Sequence, residues 1–263
     1  MAQGYIQYRR GLCEAASSSV VKLEKTTDGR SNFCVGCVIH KTSTDTFILT
    51  QSKFITQNCH LIVHFRDGIE QEAQLLTRSD QFAVLHLGAA HGASTPIQFH
   101  HGSIAYSEAL CIVPKQPSSF QSFWGRIARP SCASTRDDGT LVPNMHFIYS
   151  CHHEDTALMT PAPVFHKDGG VSGFVVGDCM TRDRTGYKVD QHSKLCLKAM
   201  AVEEKLQTLL DSDNWRAALE KLSEQCGELQ VAADVLLQVS TVLAVVCMVV
   251  PPSLSIYQPA TTS

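Results

Sequence analysis

The chain has 263 residues, 44% of them hydrophobic and 18% charged, with 22 basic against 25 acidic side chains. That length is enough for one large β-domain of about 200 residues plus an appendage, and the composition excludes an intrinsically disordered chain. The formal net charge is -3 and no lysine- or arginine-rich run stands out, so the sequence carries no footprint for a nucleic-acid partner.

Residues 1–18 form an N-terminal segment that starts polar and contains Arg9-Arg10. It holds no apolar run of the roughly 7–15 residues that make a secretory leader. The expectation is an intracellular protein, cytoplasmic or nuclear, whose 11 cysteines are reduced and act as small apolar side chains rather than as a disulfide framework.

Residues 19–200 are strand-like. Short runs rich in Val, Ile, Phe and Leu recur at Ser19–Leu23, Phe33–His40, Thr46–Thr50, His60–Phe65, Gln71–Leu76, Ala83–Leu87, Ala109–Val113, Met145–Tyr149, Val164–His166 and Val171–Val176. Asp28-Gly29, Asp67-Gly68, Asp138-Gly139 and Asp168-Gly169-Gly170 punctuate them, and Asp-Gly between apolar runs signals a hairpin because both residues tolerate positive φ. About ten short strands with tight turns and no long helical period predict an all-β sandwich or barrel and argue against βαβ units.

Residues 201–228 read as a helical extension. Ala201–Leu210 places Leu206, Leu209 and Leu210 on one side, and Asp213 is the predicted cap of a second helix, Asn214–Gln225, with Trp215, Leu219 and Leu222 at helical spacing. Gly227 is the predicted stop. Residues 229–263 form an apolar tail in which Leu236–Val250 has two readings. A membrane anchor needs about 20 apolar residues. Reaching that length brings in Asp234, at about 2.5–3.5 kcal/mol if it lies near the centre of the span. A buried element or an oligomer contact carries no such cost, and the lack of a flanking basic cluster favours it.

Three segments carry the chemistry. The first is Ile48-Leu49-Thr50-Gln51-Ser52-Lys53-Phe54-Ile55, preceded by the strand Cys34-Val35-Gly36-Cys37-Val38-Ile39. The second is Arg78-Ser79-Asp80-Gln81-Phe82-Ala83-Val84-Leu85, and the third runs from Ala157 through Thr160-Pro161-Ala162-Pro163 and Asp168-Gly169 to Gly173. In this order they resemble the landmarks of the trypsin-like serine proteases, in particular the HtrA/Deg branch and its degenerate plant members, over about residues 19–210. The resemblance implies two perpendicular six-stranded β-barrels with the active site in the cleft between them. It makes the fold an all-β, trypsin-like double β-barrel with a helical C-terminal extension.

It also assigns positions. Lys53 stands where the resemblance puts the catalytic histidine, Gln81 where it puts the orienting aspartate, and Thr160 where it puts the nucleophile. Leu158 replaces the glycine that shapes the oxyanion hole, and Pro161 and Ala162 replace the two glycines after the nucleophile. Asp80 is a substitute acid only if a bulge presents it, because one step along a strand turns a side chain to the other face. A neutral imidazole can take the nucleophile's proton near pH 7; a lysine amine of ordinary pKa, about 10.4, is already protonated there. Threonine is more crowded than serine, and loss of a single oxyanion donor costs about 100- to 1000-fold in rate.

The function implied is a catalytically degenerate protease homologue that binds a protein or peptide through the former substrate cleft, with a strand edge available for β-augmentation. Two alternatives are a residual serine-type endopeptidase using a Lys53/Thr160 dyad and a membrane-tethered scaffold held through Leu236–Val250. The sequence sets no oligomeric state. No cofactor and no metal is expected, since phosphate loops, dinucleotide fingerprints and HExxH are absent. Cys34-x-x-Cys37 lies in a predicted strand, where i and i+3 face opposite sides, and lacks a second pair. Cys151-His152-His153-Glu154-Asp155 and His100-His101 are rich in ligand types but read as solvated loops, and Arg182-Asp183-Arg184 as a hairpin tip. The roughly 60 residues after the barrels read as helical, which argues against the PDZ domain that the family often carries.

Overall fold

The structure, a computed structural model, describes residues 2–27, 29–56, 59–88, 92–115, 119–135, 141–152, 159–183 and 186–225. Helix α1 (Ala2–Ser17) opens the chain, where no helical periodicity is legible. Its docking explains why. Leu12 and Ala16 are its buried apolar side chains, and the rest of its contact is polar. The Tyr5 hydroxyl donates to the Glu108 carboxylate at 2.5 Å, the Tyr8 hydroxyl donates to the Lys167 carbonyl at 2.6 Å, and the Arg9 guanidinium lies 4.0 Å from the Trp124 ring centroid. Apolar periodicity cannot register such a face.

Seven strands form the first sheet: β1 (Val20–Thr27), β2 (Arg30–Lys41), β3 (Thr46–Gln51), β4 (His60–His64), β5 (Glu70–Glu72), β6 (Gln74–Arg78) and β7 (Phe82–Leu87), in the order β5-β4-β1-β2-β3-β7-β6. Only Ala73 separates the two edge strands, and its N–H donates to the Leu61 carbonyl at 3.0 Å. β5 and β6 are therefore one kinked segment, the single strand predicted at Gln71–Leu76, paired with β4 at one end and β7 at the other. The kink lets six strand positions curve around a core of Val21, Leu23, Cys34, Val38, Ile48, Leu61, Val63, Ala83 and Leu85. These residues alternate along their strands, as a pleat with one inward face requires.

The second sheet is a closed barrel of β8 (Glu108–Lys115), β9 (Ser119–Thr135), β10 (Leu141–Ser150), β11 (Pro163–His166), β12 (Val171–Asp183) and β13 (Gly186–Lys198), in the order β10-β13-β12-β11-β8-β9. Leu110, Phe147, Tyr149, Val164, Phe174 and Cys196 are buried in it. The enclosed Tyr149 hydroxyl is satisfied by donating to the Phe123 carbonyl at 2.6 Å. The sequence did not show β9 and β13. In β9, Ile127 is the one fully buried residue among those whose side chains are described, so no apolar run marks it.

Helix α2 (Ala199–Leu209) packs on β12 and β13. A further helix, α3, covers 215–225 and starts from Asn214, whose Oδ1 accepts the Ala217 N–H at 3.2 Å. This corrects the predicted cap by one residue: the side chain that reaches the third helical N–H belongs to Asn214, not Asp213. The chain divides into compact units at 1–220 and 221–263, and the described part of the second, 221–225, is helical. No helix among the described residues is long and apolar enough to cross a membrane; Leu236–Val250 lies outside them.

One position tests the closure of the second barrel. A Cβ on Gly173 would run into the Leu197 carbonyl oxygen and lie 2.7 Å from the Phe147 ring. Gly173→Ala is expected to cost about 2–3 kcal/mol, read as a lower urea midpoint at unchanged slope.

Candidate active-site cleft

Lys53 sits on a single 3₁₀ turn, Ser52–Phe54, directly after β3. Phe54 and Ser52 are buried, which leaves Lys53 facing solvent. The Ser52 N–H donates to the Gln81 carbonyl at 2.9 Å, so the lysine turn is tied to the residue that the resemblance pairs with it. Residues 79–82 form their own tight turn: the Ser79 N–H donates to the Phe82 carbonyl at 2.7 Å, and Ser79 Oγ accepts the N–H groups of Gln81 at 3.3 Å and Phe82 at 3.1 Å. The turn lifts both Asp80 and Gln81 into solvent and buries Phe82 at the start of β7.

Thr160 is half-buried in the turn that leads into β11. The Ala162 N–H donates to the Met159 carbonyl, and the Val175 N–H donates to the Ala162 carbonyl at 3.0 Å, anchoring the turn to β12. Leu158 lies outside the described residues.

Lys53, Asp80, Gln81 and Thr160 line one cavity of about 390 Å³, together with Pro161 and with Val176, Gly177 and Asp178 of β12. β11 pairs with β12 no further than Pro163↔Phe174, and two register shifts interrupt the β12–β13 ladder at Val175/Gly177 and Asp178/Cys179. Bulges of this kind re-aim a strand beside a cleft. Here they bring the β11-side edge of 176–178 to the cavity. Asp178 carries a buried counter-charge: the fully enclosed Lys194 ammonium donates to its Oδ1 at 3.0 Å. Among the described residues no histidine lines this cavity.

A larger cavity, about 800 Å³, lies elsewhere and is lined by Arg9, Trp124, Cys151, His152 and His192 among others. Size favours it, but the positions that carry the resemblance converge on the smaller one, and chemistry outweighs volume here. Cys151 and His152 belong to the larger cavity, while His153, Glu154 and Asp155 lie outside the described residues. The pair His100-His101 is split: His100 Nδ1 approaches Asp168 Oδ2 at 3.0 Å and His101 Nδ1 approaches Glu203 Oε2 at 3.3 Å. Arg182 and Asp183 end β12, with Asp183 paired to Gly186; Arg184 lies outside the described residues.

Cys34 and Cys37 are both buried in β2. Cys34 faces the barrel core beside Val38, and its sulfur lies 3.4 Å from Thr50 Oγ1. Burial pushes the Cys34 thiol up to about 12 and raises Cys37 as well.

Compared with solved structures, the chain is similar to the Rv3671c protease in its inactive form, at 16% identity over 77% of this chain and 94% of that one, with a TM-score of 0.59. The active form of the same protease from M. tuberculosis gives 16% identity, 77% and 86% coverage, and a TM-score of 0.60. No protein-family model matches the sequence, and no curated protein does. At this identity the likeness shows the fold, a trypsin-like double β-barrel.

The thiol burial has a direct check. In folded protein at pH 8, Cys34 and Cys37 are expected to resist iodoacetamide and to react only after denaturation, read by mass spectrometry of the labelled peptides; alkylation at the unfolded rate would contradict their placement.

Proposed function

We propose that this chain is a catalytically degenerate protease homologue of HtrA/Deg type, whose cleft binds an extended peptide without cleaving it. One observation carries the reading. The three catalytic positions of the resemblance come from three separate segments yet line one cavity, and they present Lys53, Asp80 with Gln81, and Thr160. That residue set lacks an imidazole base for the threonine hydroxyl, while 176–178 of β12 border the cavity along the side where an extended peptide would lie.

A second reading has one observation in its favour. Lys53 and Thr160 share the cavity, and lysine serves as base for a hydroxyl nucleophile in some hydrolases. Such a dyad needs a desolvated lysine, whereas Lys53 is exposed.

A fluorescently labelled unfolded protein separates the two. Purified wild type is expected to cleave no faster than Thr160→Ala, and cleavage lost in Thr160→Ala would establish the dyad instead. For binding, Gly177→Leu is informative because a Cβ at this position meets nothing within 4 Å. The fold accommodates a side chain there, which intrudes on the cavity. Labelled extended peptides selected on the wild type are expected to bind Gly177→Leu about tenfold more weakly, a difference of about 1.4 kcal/mol, in fluorescence anisotropy. Unchanged binding would move the peptide site out of the cleft.

A further inference from the structure

At the opposite end of β11 from Thr160, three side chains distant in sequence meet. His100 comes from the segment between the barrels, His166 ends β11, and Asp168 lies in the hairpin turn to β12. Asp168 Oδ2 is 3.0 Å from His100 Nδ1 and 3.1 Å from His166 Nδ1, and one ligand atom from each of the three residues falls within 4.8 Å of the others. The two imidazoles stack with centroids 4.3 Å apart.

We propose that His100, His166 and Asp168 bind a divalent transition-metal ion, zinc being the ion that two imidazoles and one carboxylate fit best.

The two nitrogen–oxygen distances are close to what such an ion requires, and the stacked rings, 27° apart, would have to turn to aim both nitrogens at it. Donors about 2.0–2.1 Å from a tetrahedral zinc lie about 3.3 Å apart, so each nitrogen–oxygen pair needs to open by only a few tenths of an ångström. A second observation points the same way. His166 is 8% exposed, and its Nδ1 is buried without an aligned hydrogen bond although it lies against Asp168 Oδ2. Asp168 Oδ1 is already occupied, accepting the Gly170 N–H at 3.0 Å. Two imidazole nitrogens thus crowd one carboxylate oxygen and one of them goes unsatisfied, a costly state for a buried polar atom. A cation between the three gives each a partner.

The backbone holds the donors in place. The His166 N–H donates to the Gly170 carbonyl at 2.7 Å and the Gly169 N–H returns to the His166 carbonyl at 2.9 Å, with Gly169 at φ +92. The His100 N–H donates to the Val171 carbonyl at 2.9 Å, fixing the inter-barrel segment against the same turn. A Cβ on Gly170 would lie 3.2 Å from His100 Cβ, so the histidine's approach depends on glycine there. The Asp168 side chain is 51% exposed, which leaves the fourth coordination position to water. A bound ion would cross-link the β11–β12 hairpin to the segment joining the barrels.

The test uses the full chain, reduced, stripped with chelator and titrated with Zn²⁺ against a chromophoric competitor, then with Co²⁺ alone. One equivalent of Zn²⁺ per chain is expected, with Co²⁺ giving weak visible bands and no thiolate charge-transfer band in the near ultraviolet. Asp168→Asn and His166→Gln should each weaken binding at least tenfold, while Cys34→Ser and His152→Gln leave it unchanged. Because Asp168 is half exposed, Asp168→Asn should still fold. Zn²⁺ should raise the melting temperature of the wild type and not of this variant. Less than a tenth of an equivalent bound, a thiolate band, or affinity and melting shift unchanged in Asp168→Asn would each overturn the site.

Discussion

The edge-to-face contact between Phe82 and Phe174, ring centroids 6.3 Å apart, is the constraint on which the cleft depends. Each barrel has its own core, and β1 and β2 of the first touch β8 of the second. Phe82 begins β7 immediately after Gln81, and Phe174 stands opposite Pro163, three residues after Thr160. Together with the packing of β1 and β2 on β8, this aromatic contact sets how far apart Gln81 and Thr160 lie. Phe99 against Phe174 at 6.2 Å and Trp215 against Phe99 at 5.9 Å extend it into an aromatic row running from the first barrel to the start of α3. Each such pair contributes about 0.5–1.5 kcal/mol beyond its buried area, and the row places its rings where a polar seam would hydrate and slip.

The packing around the cleft does not rest on Lys53, Asp80, Gln81 or Thr160. Lys53, Asp80 and Gln81 are exposed and Thr160 is half-buried, while their neighbours Ser52, Phe54, Phe82 and Met159 carry the packing. Exposed substitutions away from caps and networks usually change stability by no more than about 0.5 kcal/mol. A double barrel can therefore exchange its catalytic residues while keeping its turns, its spacing and its β12 edge. In a fold of this kind binding and catalysis make different demands: an extended peptide needs a strand edge and a wall, whereas bond cleavage needs a base and oxyanion donors placed to a fraction of an ångström.

Most strands were legible in the sequence because they have an inward face. β1 to β4, β7, β8 and β10 to β12 each carry the apolar run that marks them. β9 and β13 were not legible, since they pair along much of their length as exposed ribbon. α1 was missed because tyrosines and an arginine dock it. The cap of α3 moved by one residue because Asp213 and Asn214 are equally good capping types and only geometry chooses between them. At the cleft, the resemblance singled out Lys53, Gln81 and Thr160, and the three line one cavity. It could not separate Asp80 from Gln81, and the structure gives the reason: the Ser79 turn presents both.

The His100, His166 and Asp168 cluster escaped the sequence on the same physical grounds. Asp168-Gly169-Gly170 is a strong turn signal, and a turn signal accounts for an aspartate without asking what its carboxylate faces. His166 reads as the last residue of a strand. His100 is separated from both by the whole of β8, β9 and β10, and only the pairing of 98–100 with Val171 folds it back. A spacing such as His-x-Asp across a hairpin is a weak signal by itself. It gains meaning once a third ligand type is known to lie over the turn, and that knowledge is topological. The barrel closure that makes the fold predictable from apolar alternation is also what assembles polar residues whose proximity no local pattern encodes.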